Sequence, residues 1–290
     1  MRATPNPLLA MCFALMASAL FAGTSLLAKA LGRDILGPGL HPMQISHGRF
    51  LFAFLALLLV AAVIRPKFEN VHLRLHVVRS FCGWSAVSLM FAAIAFIPLP
   101  DATAISFLNP VFAMMLAIPV LGEKVGPIRW SAAILALLGA VILLRPTAES
   151  FQPAALVALA SAVVLGVEIV FIKLLTGREK PLQILLINNG IGLAIATLAV
   201  LFVWVPPTPE QWAALAALGT MMLIGQTCFI QAMRRAEASY VVPFSYATLL
   251  FATGYDYLFF AARPDLVSIV GAGVIIAGAL ILALREARAR

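Results

Sequence analysis

Ala17-Ser18-Ala19-Leu20-Phe21-Ala22-Gly23, with Lys29 downstream, is answered by Ala160-Ser161-Ala162-Val163-Val164-Leu165-Gly166, with Lys173 downstream. The chain therefore reads as a duplication, and both copies of this stretch lie inside apolar runs long enough to cross a bilayer. Moving outward, Ser46-His47-Gly48 is matched by Asn188-Asn189-Gly190, Asp101-Ala102-Thr103 by Glu237-Ala238-Ser239, and Gly139-Ala140-Val141-Ile142-Leu143 by Gly278-Ala279-Leu280-Ile281-Leu282. The repeat units are residues 1–147 and 148–290.

Composition agrees with a membrane protein. Hydrophobic residues make up 63% of the chain and charged residues 11%, and the mean hydropathy is +1.04, far from what a soluble surface requires. A span needs about 20 apolar residues, which predicts ten helices at 8–30, 43–64, 77–97, 102–121, 128–144, 154–175, 182–205, 212–233, 239–261 and 266–284. The runs lack the period-two alternation of a barrel strand, and a helix satisfies its own backbone in lipid. Ala17-Ser18-Ala19 resembles a signal-peptidase site, but the apolar run continues well past it, so cleavage is not expected. Cys12, Cys82 and Cys228 all fall inside predicted spans and show no zinc or redox spacing, which makes them packing residues.

Charge sets the expected orientation. If the first span enters from the cytoplasm, 15 of the 20 Lys and Arg residues fall on the cytoplasmic side, 4 on the other, and Arg49 inside a helix. That is the positive-inside pattern, with both termini cytoplasmic in a multi-pass protein of the inner membrane. The net charge of +8 is then topology and headgroup attraction rather than a nucleic-acid surface. The basic stretch from Arg65 to Arg79 is expected along the inner membrane surface. Five crossings per copy force the second copy to insert upside down, and inverted halves can exchange conformations, the basis of alternating access.

Five-helix units with a small-residue face and a trailing Lys on the first helix, an Ala-rich third helix, an Asn109-Pro110 break in the fourth and Leu121-Gly122-Glu123 closing it resemble the EamA repeat of the drug/metabolite transporter superfamily. The resemblance covers nearly the whole chain in two copies. It implies a ten-helix bundle with helices 1, 3, 4, 6, 8 and 9 around a central cavity, similar to the YddG-type exporters of aromatic and other apolar amino acids. One departure is plain: Tyr257-Leu258-Phe259-Phe260, preceded by Asp256, stands where the second copy would repeat Gly-Glu. Glu123 is therefore read as a cap, or as a partner of Lys124 or Arg129, at the cytoplasmic edge.

Pro110 and Pro243 break the fourth helix of each copy, beside Asn109 and Ser245-Tyr246, and broken helices offer backbone polar groups to a solute. Helical spacing adds candidate lining residues. Ser18 and Ser25 share a stripe, as do Ser161 and Glu168; Trp84, Ser88 and Phe91 form another, Thr103, Ser106 and Asn109 a fourth, and Gln226 is the deeper of two glutamines on helix 8. A charge in the membrane is costly, roughly 2.5–3.5 kcal/mol on the lenient scale, so Glu168, Arg49, His47 and Asp256 need explanations. Glu168 can bind an ammonium, carry a coupling proton, or pair with Lys173. His47 is a second possible proton carrier. Arg49 reads as structural, or as a partner for a substrate carboxylate, and Asp256 as a partner of Arg263.

Enzyme chemistry finds no support: no nucleophile elbow or zinc helix occurs, and His72 with His76 has no acidic partner nearby in sequence. No metal or cofactor is expected. A channel would present charged rings or a carbonyl filter, whereas these polar groups are sparse and mostly neutral. The lining fits a monomeric carrier of small neutral, especially aromatic or apolar, amino acids, with export implied by the resemblance; another small metabolite or drug, and a channel, remain the alternatives.

Overall fold

The computed structural model describes residues 6–32, 35–66, 68, 70–94, 105–144, 155–260 and 266–288. Among them every regular element is helical. Ten main helices follow in order: α1 (Pro7–Gly32), α2 (Pro42–Ile64), α3 (Leu73–Ile94), α4 (Asn109–Leu121), α5 (Pro127–Leu144), α6 (Ala155–Thr176), α7 (Pro181–Val200), α8 (Pro209–Arg235), α9 (Ala247–Phe260) and α10 (Leu266–Arg288). Among the described residues α1, α2, α6, α7 and α8 are long and apolar enough to cross a membrane, and α4, α5 and α10 contain shorter apolar helices.

Local chemistry sets the ends. Proline stands in the first turn of α2, α4, α7 and α8, where its missing N–H costs nothing and its φ suits a helix. Thr208 and Gln211 close a reciprocal capping box on α8. Gly122 ends α4 with φ 68°, a left-handed turn that glycine takes without penalty.

One expectation is refined and another changes. The break expected at Pro243 divides the span predicted over 239–261 into a short helix Ala238–Val241, a 3-10 turn Val242–Tyr246 and then α9, because Pro243 cannot donate to a continuing helix. The stretch from Arg65 to Arg79 does not lie on a surface throughout: α3 begins at Leu73, and Arg79 is 3% exposed within it.

Helices of one copy pack mainly on helices of the other. A Cβ built on Gly139 of α5 would lie 2.7 Å from the Ile275 amide and 2.8 Å from the Gly271 carbonyl of α10, and one on Gly278 of α10 would lie 2.9 Å from the Ala132 carbonyl. These glycines occupy matched positions in the repeat, and their absent side chains let the two backbones touch. Because residue numbers rise along α5 as they fall along α10, the pair is antiparallel. The same holds for α2 and α7, where Gly190 faces Phe54 and Gly192 faces Phe50. Outward faces carry Leu59, Val63 and Phe202 at 72%, 84% and 90% exposure, an apolar surface that needs hydrocarbon rather than water around it.

Candidate functional site

The most informative polar line runs between α3 and α6. His72, just before α3, and His76, Arg79 and Gly83 on it recur at steps of four, three and four, which puts them on one face. Opposite them stand Glu179, Glu168 and Ser161. Ser161 is fully buried and donates to the Ala86 carbonyl at 2.7 Å. Glu168 sits eight residues before the end of α6, about 12 Å along the helix at 1.5 Å per residue. Its carboxyl lies over Gly83, where a Cβ would come within 3.2 Å, and its Oε1 is 3.8 Å from the Nε of Arg79. Arg49 is close enough to act electrostatically on the same carboxylate, and its guanidinium stacks over the Phe50 ring at 4.2 Å.

On α7 Asn189 donates to Gln226 Oε1 of α8 at 3.1 Å and to the Leu185 carbonyl at 2.9 Å, while Ser80 of α3 donates to Asn188 at 3.4 Å. The expected lining residues Glu168 and Gln226 thus each meet a polar partner from another helix. Glu168 pairs with Arg79, not with Lys173. Lys173 instead donates to the Met233 carbonyl at 2.6 Å and to the Ala236 carbonyl, capping α8.

The two helix breaks come together in a second cluster. Tyr246 donates to the Phe107 carbonyl at 2.8 Å and stacks on the Phe107 ring at 5.7 Å between centroids. Ser18 donates to the Phe244 carbonyl at 3.1 Å, and Asn109 to the Ser106 carbonyl at 2.7 Å. Carbonyls freed near Pro110 and Pro243 are therefore taken up by the chain's own side chains. Ser245 is half-buried beside them. Trp84 is 51% exposed and lies against Phe81 at 6.2 Å, turned about 140° around α3 from Arg79 at 100° per residue. His47 packs edge-on against Trp204 at 6.0 Å. Thr103 and Arg263, and the side chains of Ser88, Phe91 and Asp256, lie outside the described residues.

One end of the bundle, where α2 finishes and α3 begins, is tied between copies. Glu179 accepts from the His72 amide at 2.7 Å and Gln183 at 2.7 Å, and pairs with His76 Nε2 at 2.9 Å and His72 Nδ1 at 3.2 Å. Sequence alone left the two histidines without an acid; the partner comes from 103 residues away on the other copy. Burial pushes the Glu179 carboxyl up, but the bonds from His76, the His72 amide and Gln183 outweigh it and hold it below the usual carboxylate range. At the same end Glu123 accepts from the amides of Ala238 and Ser239 at 2.8 and 3.0 Å and from the Ser239 hydroxyl at 2.7 Å, so it caps the short helix of the opposite copy. Arg129 binds Glu237 and Ser239. Glu123→Ala would strand two buried amides, at roughly 1–3 kcal/mol each, and thermal unfolding in detergent should show a clearly lowered midpoint that Glu123→Gln only partly restores.

Arg79 and the His72–His76–Glu179 group escaped sequence reading. The signal that could have found them is the four-three-four spacing, hidden because α3 starts a turn earlier than hydropathy suggests.

This two-copy architecture has relatives. The EamA-like transporter family matches residues 8–145 and again 152–284. The chain belongs to the EamA-like transporter family. Among EamA-type relatives it is 30% identical over 211 residues to the pseudopaline exporter CntI of Pseudomonas aeruginosa, covering 71% of this chain and 73% of that one. It is 32% identical over 221 residues to the riboflavin transporter of Rhizobium johnstonii, covering 73% and 71%. It is 26% identical over 255 residues to the S-adenosylmethionine uptake transporter of Rickettsia bellii, covering 88% of each. A solved crystal structure, 21% identical, superposes with a TM-score of 0.80 over 97% of this chain and 98% of its own, which shows the shared fold. Small-molecule transport in a multi-pass membrane protein is thus the family's activity, and the relatives are transporters rather than enzymes.

Proposed function

We propose that this EamA protein is a monomeric secondary carrier that exports small neutral amino acids, especially aromatic or apolar ones, across the inner membrane by alternating access. The observation that carries the reading is Glu168, a carboxylate in the interior of α6 with two guanidiniums in its field. An anion and cations together match a zwitterion, and interior charge in a membrane marks a solute pathway. Antiparallel pairing of α2 with α7 and α5 with α10, the matched helices of the two copies, supports ten crossings in two inverted sets of five. Both termini are then cytoplasmic, and the Glu179 and Glu123 contacts close the cytoplasmic end.

Relatives named as exporters and as uptake transporters share this architecture, so direction is a property of gradients as much as of fold. They also support the second reading, a carrier of a different small metabolite. Purified protein in liposomes should take up labelled Phe, Trp, Met or Thr with saturation and at rates far below a channel's. Flux of none of the four would reject the amino acid reading, and a pH gradient that changes the rate would identify proton coupling through Glu168 or His47.

A further inference from the structure

Arg79 holds two interior nitrogens that no acceptor among the described residues meets. Its Nε and Nη1 are buried without a hydrogen-bond partner, and its side chain is 4% exposed. The nearest carboxylate, Glu168, stands at 3.8 Å from Nε, inside ion-pair range but beyond a hydrogen bond. A guanidinium taken this far from water normally saturates its donors, because each stranded one carries its full desolvation cost. Glu168 has the opposite setting. Its side chain keeps 21% exposure, so the carboxylate is the more accessible member of the pair. Counting Arg49 as well, the group carries two positive charges against one negative.

We propose that Arg79 is a substrate-binding residue: its unpartnered guanidinium, aimed toward Glu168, receives the carboxylate of the transported solute. This rests on the carrier reading above and names the chemical group that the site demands. An incoming amino acid would place its ammonium on Glu168 and its carboxylate on Arg79, so each member of the loose internal pair gains a hydrogen-bonded partner of opposite charge. The excess positive charge makes the carboxylate the essential group and the ammonium the dispensable one. Solutes with a carboxylate and no amine should bind; amines without a carboxylate should not. The site then discriminates by the groups it would leave unpaired, the strongest form of selection in a buried polar pocket.

The test compares three probes of equal apolar size, phenylalanine, 3-phenylpropionate and phenethylamine, binding to the purified full-length protein, read by intrinsic fluorescence and by the thermal shift in detergent. Phenylalanine and 3-phenylpropionate are expected to bind wild type, and phenethylamine at least tenfold more weakly. Arg79→Gln should lose both carboxylates tenfold or more, Arg79→Lys should recover part of that loss, and Glu168→Gln should lose phenylalanine while keeping 3-phenylpropionate. Wild-type binding of 3-phenylpropionate alone would reject the amino acid reading and leave Arg79 standing. Equal binding of both carboxylates by wild type and a folded Arg79→Gln or Arg79→Lys would overturn the Arg79 assignment and leave the carrier reading intact. A wild type that binds phenethylamine as well as it binds the carboxylates, or none of the three, also overturns it.

Discussion

Glu168→Gln is expected to lower transport efficiency by about 100-fold while leaving the bundle assembled. The size follows from the contact Glu168 would offer the solute: a hydrogen bond to a charged group is worth about 1.5–3 kcal/mol, and each 1.4 kcal/mol is tenfold. The amide keeps the shape over Gly83 but leaves Arg79 and Arg49 without their counter-charge among the described residues, so the melting midpoint should fall too. Glu168→Asp separates charge from reach. It restores the sign and pulls the carboxylate back by one methylene, and it should recover more of the stability than of the transport. Uptake into liposomes at several substrate concentrations decides the matter: a Gln variant with wild-type kcat and KM would remove Glu168 from the pathway.

The second large effect lies at Glu179. This carboxylate has no exposed side-chain surface and takes four contacts from three residues, so Glu179→Ala strands His76 Nε2, whose companion Nδ1 already lacks a partner. Leaving such donors in the interior costs about 1–3 kcal/mol apiece, enough to part α3 from the turn between α6 and α7. The pH dependence has a definite sign. Because the folded carboxyl is held below its ordinary value of 4.5, its contribution is complete above that value and disappears as pH falls through the lower, folded one. Wild-type protein should therefore lose thermal stability in acid below about pH 4.5, and Glu179→Gln should start lower and show a flatter acid limb. A steep, wild-type-like acid limb in the Gln variant would assign the dependence to another carboxylate.

Much of the architecture was legible because periodicity and duplication are local signals. The Ala-Ser-Ala stretch located α1 and α6, the apolar runs located α2, α5, α7 and α8, and Pro243 announced the interruption before α9. The paired glycines Gly139 and Gly278 were visible as a repeat, although only their contacts with opposing backbone explain why no side chain is tolerated there. The site was less legible. Glu168 was found because a lone acid in an apolar run is conspicuous. Arg79 was hidden among basic residues that read as a surface segment, and Glu179 lies in a short charged turn that looks solvated. Their partners are 89 and 107 or fewer residues distant, and no one-dimensional pattern records such a meeting. Ser161 and Tyr246 were found for their polarity, yet their hydroxyls are spent on the Ala86 and Phe107 carbonyls.

The bond from Tyr246 to Phe107 has a mechanical meaning. It ties the irregular turn of one half to the irregular turn of the other, so the pair behaves as one joint instead of two. A displacement that begins in either half would be handed across at that point, as the alternating-access mechanism proposed above requires.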